Sequence, residues 1–352
     1  MSDAMTLFSQ TLEQLRLAAV HVPGLTDLAD APFLFRPLVM VVLLGVVAGV
    51  IGVIVNLRSA EFSAEAMVHA VFPGIVAGAV YWGIDAIIPA ASVVAVVAAL
   101  VLTIVSHRSR RGEASEAGTA VVLTSFFSIG LILSLAKGDM SGQLEALMFG
   151  RLLEVTDARL AQALIVCAVA LLLIMATWKE QVAYAFDRTG ARASGLRLLM
   201  LDLVLNTAIA AAVVSASTAV GILLVIGYLV IPGATARILA SRVRTMVLVA
   251  IAVGVGGGYL GMLLMALPET LDKPISPQAT VALVMTGILL LAVCVAAVRE
   301  RLRRPARRAR SAQPATAVST STTASADATV DRAGGPEGSA SAVAPMAEGG
   351  RV

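Results

Sequence analysis

Long apolar runs separated by short polar segments are the main pattern along this chain. A helix needs about 20 apolar residues to cross the hydrocarbon core of a bilayer. Nine runs approach or reach that length, at residues 38–55, 64–82, 87–106, 118–136, 160–178, 198–214, 218–236, 246–267 and 279–298. The pattern therefore predicts an all-α, polytopic membrane helix bundle of about nine transmembrane helices, within a membrane domain at 37–299.

The two flanking segments differ from the membrane domain. In residues 1–36, the apolar positions are spaced as in a short amphipathic helix and include Leu7, Leu12, Leu15, Leu17 and Val20. Residues 300–352 begin with a basic stretch and continue into Ser, Thr, Ala, Gly and Pro without apolar periodicity. Such a composition buries too little surface to offset chain entropy. The second segment is therefore predicted to be a disordered cytoplasmic tail after its basic start.

Composition supports the membrane assignment. The chain is 58% hydrophobic and 14% charged, whereas a soluble domain is about 45–50% apolar and about 25% charged. Only 4% of the residues are aromatic, so small and aliphatic residues fill the apolar runs. This composition is typical of transmembrane helices that pack closely.

Arginine clusters orient the predicted helices. They occur at 107–111, 237–244 and 299–310, each just beyond an apolar run. Such clusters mark cytoplasmic loops of membrane proteins, so we expect these three in the cytoplasm. The N-terminus and the connections 137–159 and 268–278 then lie outside, and the protein resides in the cell membrane in contact with lipid. Binding of nucleic acid by the last cluster is the weaker alternative, and we predict no nucleic-acid partner.

Three ionisable residues recur at four-residue spacing before the second run: Glu61, Glu65 and His69. Residues four apart lie on the same side of a helix. Glu65 and His69 would thus present a carboxylate oxygen and an imidazole nitrogen to one ion, a donor pair that suits zinc and manganese. In the alternative, Ser63 caps the helix, Glu65 only stabilises its dipole, and His69 is a core residue. Glu61 is better explained by solvent or by pairing with Arg58.

Two further features are candidates for lining an ion pathway through the membrane. Asp202 and Asn206 form a second polar pair at four-residue spacing, which either faces the pathway or pairs with a neighbouring helix. Gly227, Pro232 and Gly233 interrupt the seventh run. Proline supplies no backbone donor, so these residues predict a helix break, used either for packing or for movement.

Several function classes lack their sequence motifs. The chain has no GxxxxGK[ST] pattern for ATP binding and no HExxH pattern for a zinc protease. Cys167 and Cys294 both lie in apolar runs without a CxxC spacing, and they are best explained as small core residues. The chain is therefore not expected to be an enzyme of either class.

Five segments resemble the permeases of zinc, manganese and iron ABC importers. "RSAEFSAEAMVHAVFPGIVAG" (58–78) is similar to their pathway segment, and "EASEAGTAVVLTSFFSIGLIL" (113–133) and "LMFGRLLEVT" (147–156) match two further segments more loosely. "FDRTGARASGL" (186–196) resembles the cytoplasmic coupling segment of ABC importers. "STAVGILLVIGYLVIPGATARILA" (217–240) looks very like the family's late-helix motif. The resemblance covers about 38–298.

The resemblance implies a type II ABC importer permease fold and a set of partners. These are a cytoplasmic ABC ATPase that hydrolyses ATP, an extracytoplasmic metal-binding protein and a second copy of the permease. Glu65 and His69 would line the pathway, although Glu65 stands where the family usually has Asp, and Ala64 where it has Gly. The ATPase contacts would come from the coupling segment, residues 183–196, through Phe186, Asp187, Ala191, Gly195 and Leu196.

The resemblance leaves the cargo open. A divalent metal ion, zinc or manganese or else iron, is expected as the transported substrate, with no permanently bound cofactor. One alternative is a siderophore or corrinoid ABC permease, which would need a wide and largely neutral channel. The other is a secondary metal carrier that works without ATP.

Overall fold

The fold is known from a computed structural model that describes residues 2–108, 112–136, 150, 152–266 and 276–311. Throughout these ranges the regular structure is helical, with no strand. The chain divides into one unit from Met1 to Glu300 and a second from Arg301 to Val352. In the second unit, the described residues 301–311 are helical.

Fourteen α-helices are numbered here in chain order over the described residues. Short non-α turns occur at Gly78–Trp82 (π), Ile84–Ala86 and Leu152–Glu154 (3₁₀). The helices are α1 (Ser2–Val20), α2 (Thr26–Asp30), α3 (Pro32–Leu57), α4 (Glu61–Ala70), α5 (Phe72–Ala77), α6 (Ile87–Arg108), α7 (Gly112–Leu135), α8 (Asp157–Ala176), α9 (Trp178–Phe186), α10 (Arg188–Ala193), α11 (Leu198–Val220), α12 (Ile222–Leu239), α13 (Val243–Ala266) and α14 (Pro277–Ser311).

The membrane spans follow the apolar runs. Among the described residues, eight helical segments are long and apolar enough to cross a bilayer, and the stretch Leu224–Leu239 of α12 is a shorter apolar helix. These eight segments and the shorter helix correspond, in chain order, to the nine apolar runs of the sequence. The prediction of an all-α membrane bundle is confirmed.

Helix α3 lies at the centre of the bundle. It packs most extensively against α13 and α12, and also contacts α8 and α11. Of its most apolar stretch, 78% is buried inside the protein. A span buried to that extent has little surface left for lipid, so its neighbours decide its position.

Glycines allow this close packing. A Cβ atom placed on Gly45 would lie 2.6 Å from the Val255 nitrogen, and one on Gly254 would lie 2.6 Å from the Gly45 carbonyl oxygen. Both positions are therefore restricted to glycine, and α3 and α13 meet backbone to backbone. Close approach through small residues is a common basis of helix packing in membranes. On the neighbouring face of α3, Gly52 contacts Gly233 of α12 in the same way.

The predicted helix break at Gly227, Pro232 and Gly233 is not observed. Helix α12 runs through all three residues, from Ile222 to Leu239. Asn56 of α3 donates from Nδ2 to the Val230 carbonyl oxygen at 3.3 Å, near the proline. The carbonyl that Pro232 leaves without its helical donor is that of Tyr228, four residues earlier, so this hydrogen bond joins α12 to α3 and does not compensate for the proline. Gly233 serves the contact with α3.

Interruptions occur at two other places. Gly221 separates α11 from α12 and has φ +80°, a conformation that favours glycine. The second span is divided at Val71, after which Pro73 lies in the first turn of α5. Because Pro73 has no N–H, it cannot donate to the carbonyl of His69 four residues earlier.

The flanking segments are more helical than their sequences suggested. Helix α1 has 19 residues, and Ser9 Oγ donates to Asp157 Oδ2 at 2.8 Å. Asp157 also accepts from Arg36 Nε at 2.5 Å. At the other end of the chain, α14 continues to Ser311. The tail prediction for 312–352 lies outside the described residues.

The glycine contact between α3 and α13 gives a testable consequence. Gly254→Ala should lower the melting temperature in detergent because the new methyl group would meet the α3 backbone, and overpacking of this kind costs about 1–3 kcal/mol. Gly256→Ala is the matched control, since a Cβ there has no neighbour within 4 Å. Equal melting temperatures for the two variants would argue against the backbone contact.

Candidate metal pathway and coupling segment

Helix α4 carries the two predicted metal ligands on its outer side. Glu65 is exposed and His69 is half-buried. The other face of the helix is buried in the core, through Ala64, Ala66, Met67, Val68 and Ala70. The packing of this apolar face fixes the helix orientation and leaves the carboxylate accessible beside the imidazole.

The ring of His69 has a defined orientation. Its Nδ1 atom lies 3.0 Å from the Glu65 carbonyl oxygen. A carbonyl only accepts hydrogen bonds, so Nδ1 is the donor in this contact, and in the neutral ring the lone pair is then on Nε2. That is the tautomer a metal-binding imidazole needs. Phe127 contacts the ring edge-on, with 5.5 Å between ring centroids, and stacks on Phe72 at 5.1 Å.

The alternative role of Glu65 as a helix-dipole residue does not fit the observed helix. Helix α4 begins at Glu61, with Ala60 at the N-cap position. Ser63 is thus inside the helix, and Glu65 lies beyond its first turn. Because the dipole effect falls off within that turn, Glu61 is better placed for it than Glu65.

One chain supplies a small donor set. Among the described residues, no group of three or more His, Cys, Asp or Glu side chains is placed to hold a metal ion. Glu65 and His69 are therefore two donors on an accessible face. Any further ligands of an ion bound there would have to come from outside these described side-chain groups.

The other predicted polar pair faces elsewhere. Asp202 forms an ion pair with Arg58, and its second oxygen lies 3.7 Å from His107 Nδ1. Asn206 donates from Nδ2 to Thr103 Oγ1 at 2.9 Å. Both pair members are engaged with neighbouring helices and are not brought together with Glu65.

Asp202 and Asn206 line a cleft of about 830 Å³, together with Phe62 and Ser63 of α4. Arg58, His107, Tyr184 and Arg188 line the same cleft, whereas Glu65 and His69 are not among its described lining residues. The cleft opens where the coupling segment meets the helix bundle. The positions of the arginine clusters assign this end of the bundle to the cytoplasm.

The coupling segment folds as two short helices around Asp187. The Asp187 side chain caps α10, because Oδ1 accepts from the backbone nitrogens of Gly190 at 2.9 Å and Thr189 at 3.0 Å. These hydrogen bonds, with Gly190 first, hold the pKa of the Asp187 carboxyl below its usual value. The aspartate is therefore a structural cap of the helix.

The end of α10 has the geometry of a Schellman motif. The Leu196 nitrogen donates to the Ala191 carbonyl at 3.1 Å, and the Gly195 nitrogen donates to the Arg192 carbonyl at 3.1 Å. Gly195 has φ +80°, the left-handed conformation that this motif places on glycine. Ala191 is buried with Tyr184 and beside Leu196.

These contacts change the roles given to the predicted coupling residues. Ala191 and Gly195 were predicted to contact the ATPase, and within this chain they shape the segment itself. Phe186 is different, since 72% of it is exposed at the end of α9. It is the large apolar side chain that the coupling segment presents outward.

Sequence reasoning missed a set of residues around Arg58. Arg58 Nη1 donates to Gln181 Oε1 at 2.7 Å, and its guanidinium carbon lies 4.0 Å from the centroid of the Tyr184 ring. The available signal was an arginine directly after the first apolar run, but it gave no indication of partners more than a hundred positions away.

The capping role of Asp187 is testable by hydrogen exchange. Asp187→Ala should speed amide exchange at Thr189 and Gly190, whereas Asp187→Asn should retain protection because it keeps an acceptor oxygen. Since the carboxyl pKa is lowered, the ionised cap is intact at neutral pH and is weakened only as the pH falls below the usual value of 3.8. Unchanged exchange in Asp187→Ala would contradict the cap.

Comparison with known proteins places this fold in a family. Residues 30–296 match the ABC 3 transport family. The manganese transport system membrane protein MntC of Listeria monocytogenes is 33% identical over 239 residues, which are 68% of this chain and 83% of that protein. The chelated iron transport system membrane protein YfeC of Yersinia pestis is 31% identical over 212 residues, 60% of this chain and 70% of that protein.

A solved structure supports the same fold. PsaBC from Streptococcus pneumoniae, in complex with Fab, has a chain that superimposes with a TM-score of 0.65 at 24% identity. The match covers 76% of this chain and 94% of that chain. The resemblance predicted from the sequence motifs is confirmed: the chain is a multi-pass membrane protein that belongs to the ABC 3 transport family.

Proposed function

We propose that the chain is the permease subunit of an ATP-driven importer of divalent metal ions. The observation that carries the proposal is the pair of donors on α4. Glu65 is exposed, and His69 is held one turn away in the tautomer that leaves Nε2 for a ligand. An ionisable pair in a membrane span is costly unless it faces a watery path or a partner.

Manganese is the substrate that we favour. One carboxylate and one imidazole suit manganese, zinc and iron alike, so the donors alone do not select among them. Similar proteins are named as manganese transport proteins in Listeria monocytogenes and, with 30% identity over 236 residues, in Streptococcus gordonii. The preference rests on these names.

The site becomes more complete in a symmetric pair. Two copies related by a two-fold axis would each present Glu65 and His69 to one central path, giving four donors. An extracytoplasmic metal-binding protein would deliver the ion at one end of that path. At the other end, an ATPase subunit would bind the coupling segment and drive the switch between faces.

The outward position of Phe186 supports an ATPase contact at the coupling segment. An exposed aromatic side chain on a short helix outside the membrane suits insertion into a partner's groove. The capped and buried residues around it hold the helix in shape, so that Phe186 is presented at low entropic cost. A secondary carrier that works without ATP would have no use for such a contact.

The donor pair gives the main test of the function. Glu65→Gln and His69→Gln should each reduce uptake of radioactive Mn²⁺ at least about tenfold, a loss of roughly 1.4 kcal/mol or more in ion stabilisation. Glu61→Gln is the control, since it removes a carboxylate from the same helix one turn earlier. Normal uptake by a Glu65→Gln/His69→Gln double variant at equal membrane levels would refute the ligand role.

The ATPase contact has its own test. Phe186→Ala should reduce co-purification with the ATPase subunit, with a loss of about 2 kcal/mol or more if it is an anchor of the interface. Phe33→Ala is matched in chemistry and exposure, since Phe33 is 60% exposed at the start of α3. Undiminished co-purification of Phe186→Ala would place the contact elsewhere.

A further inference from the structure

A half-buried arginine joins three helices at the end of the bundle. Arg58 follows directly after α3, and only 9% of its side chain is exposed. It forms an ion pair with Asp202 of α11 and donates to Gln181 of α9. Tyr184, also on α9, covers the guanidinium at 4.0 Å. One cation thus contacts both α9 and α11.

The partners of Arg58 are themselves fixed. Gln181 is fully buried, and its Nε2 donates to the Leu201 carbonyl at 2.9 Å. Tyr184 packs with Ala191, Leu198 and Leu201. Tyr184 and Ala191 belong to the coupling segment, while the two leucines begin α11. The guanidinium therefore rests against the packed base of the coupling segment.

A very short connection joins Arg58 to the pathway helix. Only Ser59 and Ala60 separate it from the start of α4. The Ala60 nitrogen donates to the Val55 carbonyl at 2.9 Å, and Ser59 has φ +51°, in the left-handed region. A short hydrogen-bonded turn of this kind has little conformational freedom. A displacement of Arg58 must therefore move the start of α4, the helix that carries Glu65 and His69.

The energetics of burial make these contacts interdependent. A buried guanidinium is stable only while its charge and its donors are matched. If α9 moved away from α3, Arg58 would lose Gln181 and the Tyr184 ring together, and it would be left with Asp202 alone. A movement of the whole group as one unit keeps every contact, and it costs less free energy than a separation of α9 from α3.

We propose that Arg58 is a positioning residue that transmits movement of the coupling segment to the pathway helix α4. The inference rests on the proposed function, because it assigns a role within ATP-driven metal import. Arg58 touches neither the cargo nor the ATPase in this assignment. It holds α9 and α11 to the end of α3, so that a displacement of the coupling segment is transmitted to α4, which carries Glu65 and His69.

The test measures metal moved per ATP hydrolysed. The permease is co-expressed with its ATPase subunit and reconstituted in liposomes, with Mn²⁺ as the probe and its binding protein present. Arg58→Gln should still assemble with the ATPase and hydrolyse ATP, but it should move roughly tenfold less Mn²⁺ per ATP. Arg58→Lys should recover part of the loss, since it keeps the charge for Asp202 but loses the planar fork and the stacking.

Arg36→Gln is the matched control. Arg36 is also paired with an aspartate, Asp157, but at the opposite end of α3. Its loss should leave the ratio of Mn²⁺ to ATP unchanged. A merely structural role of Arg58 would lower uptake and ATP hydrolysis in proportion, whereas a positioning role lowers their ratio.

The possible outcomes separate the two proposals. If the unsubstituted protein moves no Mn²⁺ with ATP, the proposed function fails and the inference falls with it. If it transports and Arg58→Gln has the same ratio, only the inference is overturned. Should Arg58→Gln fail to reach the membrane, Tyr184→Leu decides, because it keeps an apolar side chain in the cluster but removes the ring beneath the guanidinium. An unchanged ratio in that variant overturns the inference.

Discussion

The backbone contact of α3 with α12 and α13 is the constraint on which the rest of the bundle depends. Gly45, Gly52, Gly233 and Gly254 each lie too close to the facing helix for a side chain. Packed interiors do not deform continuously, so these three helices behave as one body. Arg58 at the end of α3 is then attached to a rigid unit, and its partners on α9 and α11 move with that unit.

Most of the fold could be predicted from the apolar runs alone. Bilayer thickness sets the length of each span, and backbone hydrogen bonding leaves a helix as the way for such a run to cross. The positions of interruptions were not predictable in the same way. Pro232 and Pro73 look alike in sequence, yet α12 continues through Pro232 while the second span divides next to Pro73. Each proline leaves a carbonyl four residues earlier without its helical donor, so the local sequence does not decide whether the helix ends there.

The candidate site was predictable where it depends on local geometry. Four-residue spacing was enough to place Glu65 and His69 on one side of α4. The same spacing gave no guide for Asp202, because its partner Arg58 lies 144 positions away. Sequence proximity had suggested Glu61 for that arginine. In the coupling segment, Gly195 and Ala191 were predicted as ATPase contacts; in this chain Gly195 has a positive φ and Ala191 is buried.

An import pathway requires ligands that bind the ion weakly, because the ion must also be released. An ion held by four or more protein ligands from one chain would be bound tightly, and tight binding opposes release. In the proposed function, Glu65 and His69 would offer two donors, one of them exposed, so that hydration could replace them as the ion leaves. Directionality must then come from elsewhere in the structure. In the proposed mechanism, the interrupted second span would be the place where the pathway changes shape, and the junction at Arg58 would connect that span to the coupling segment.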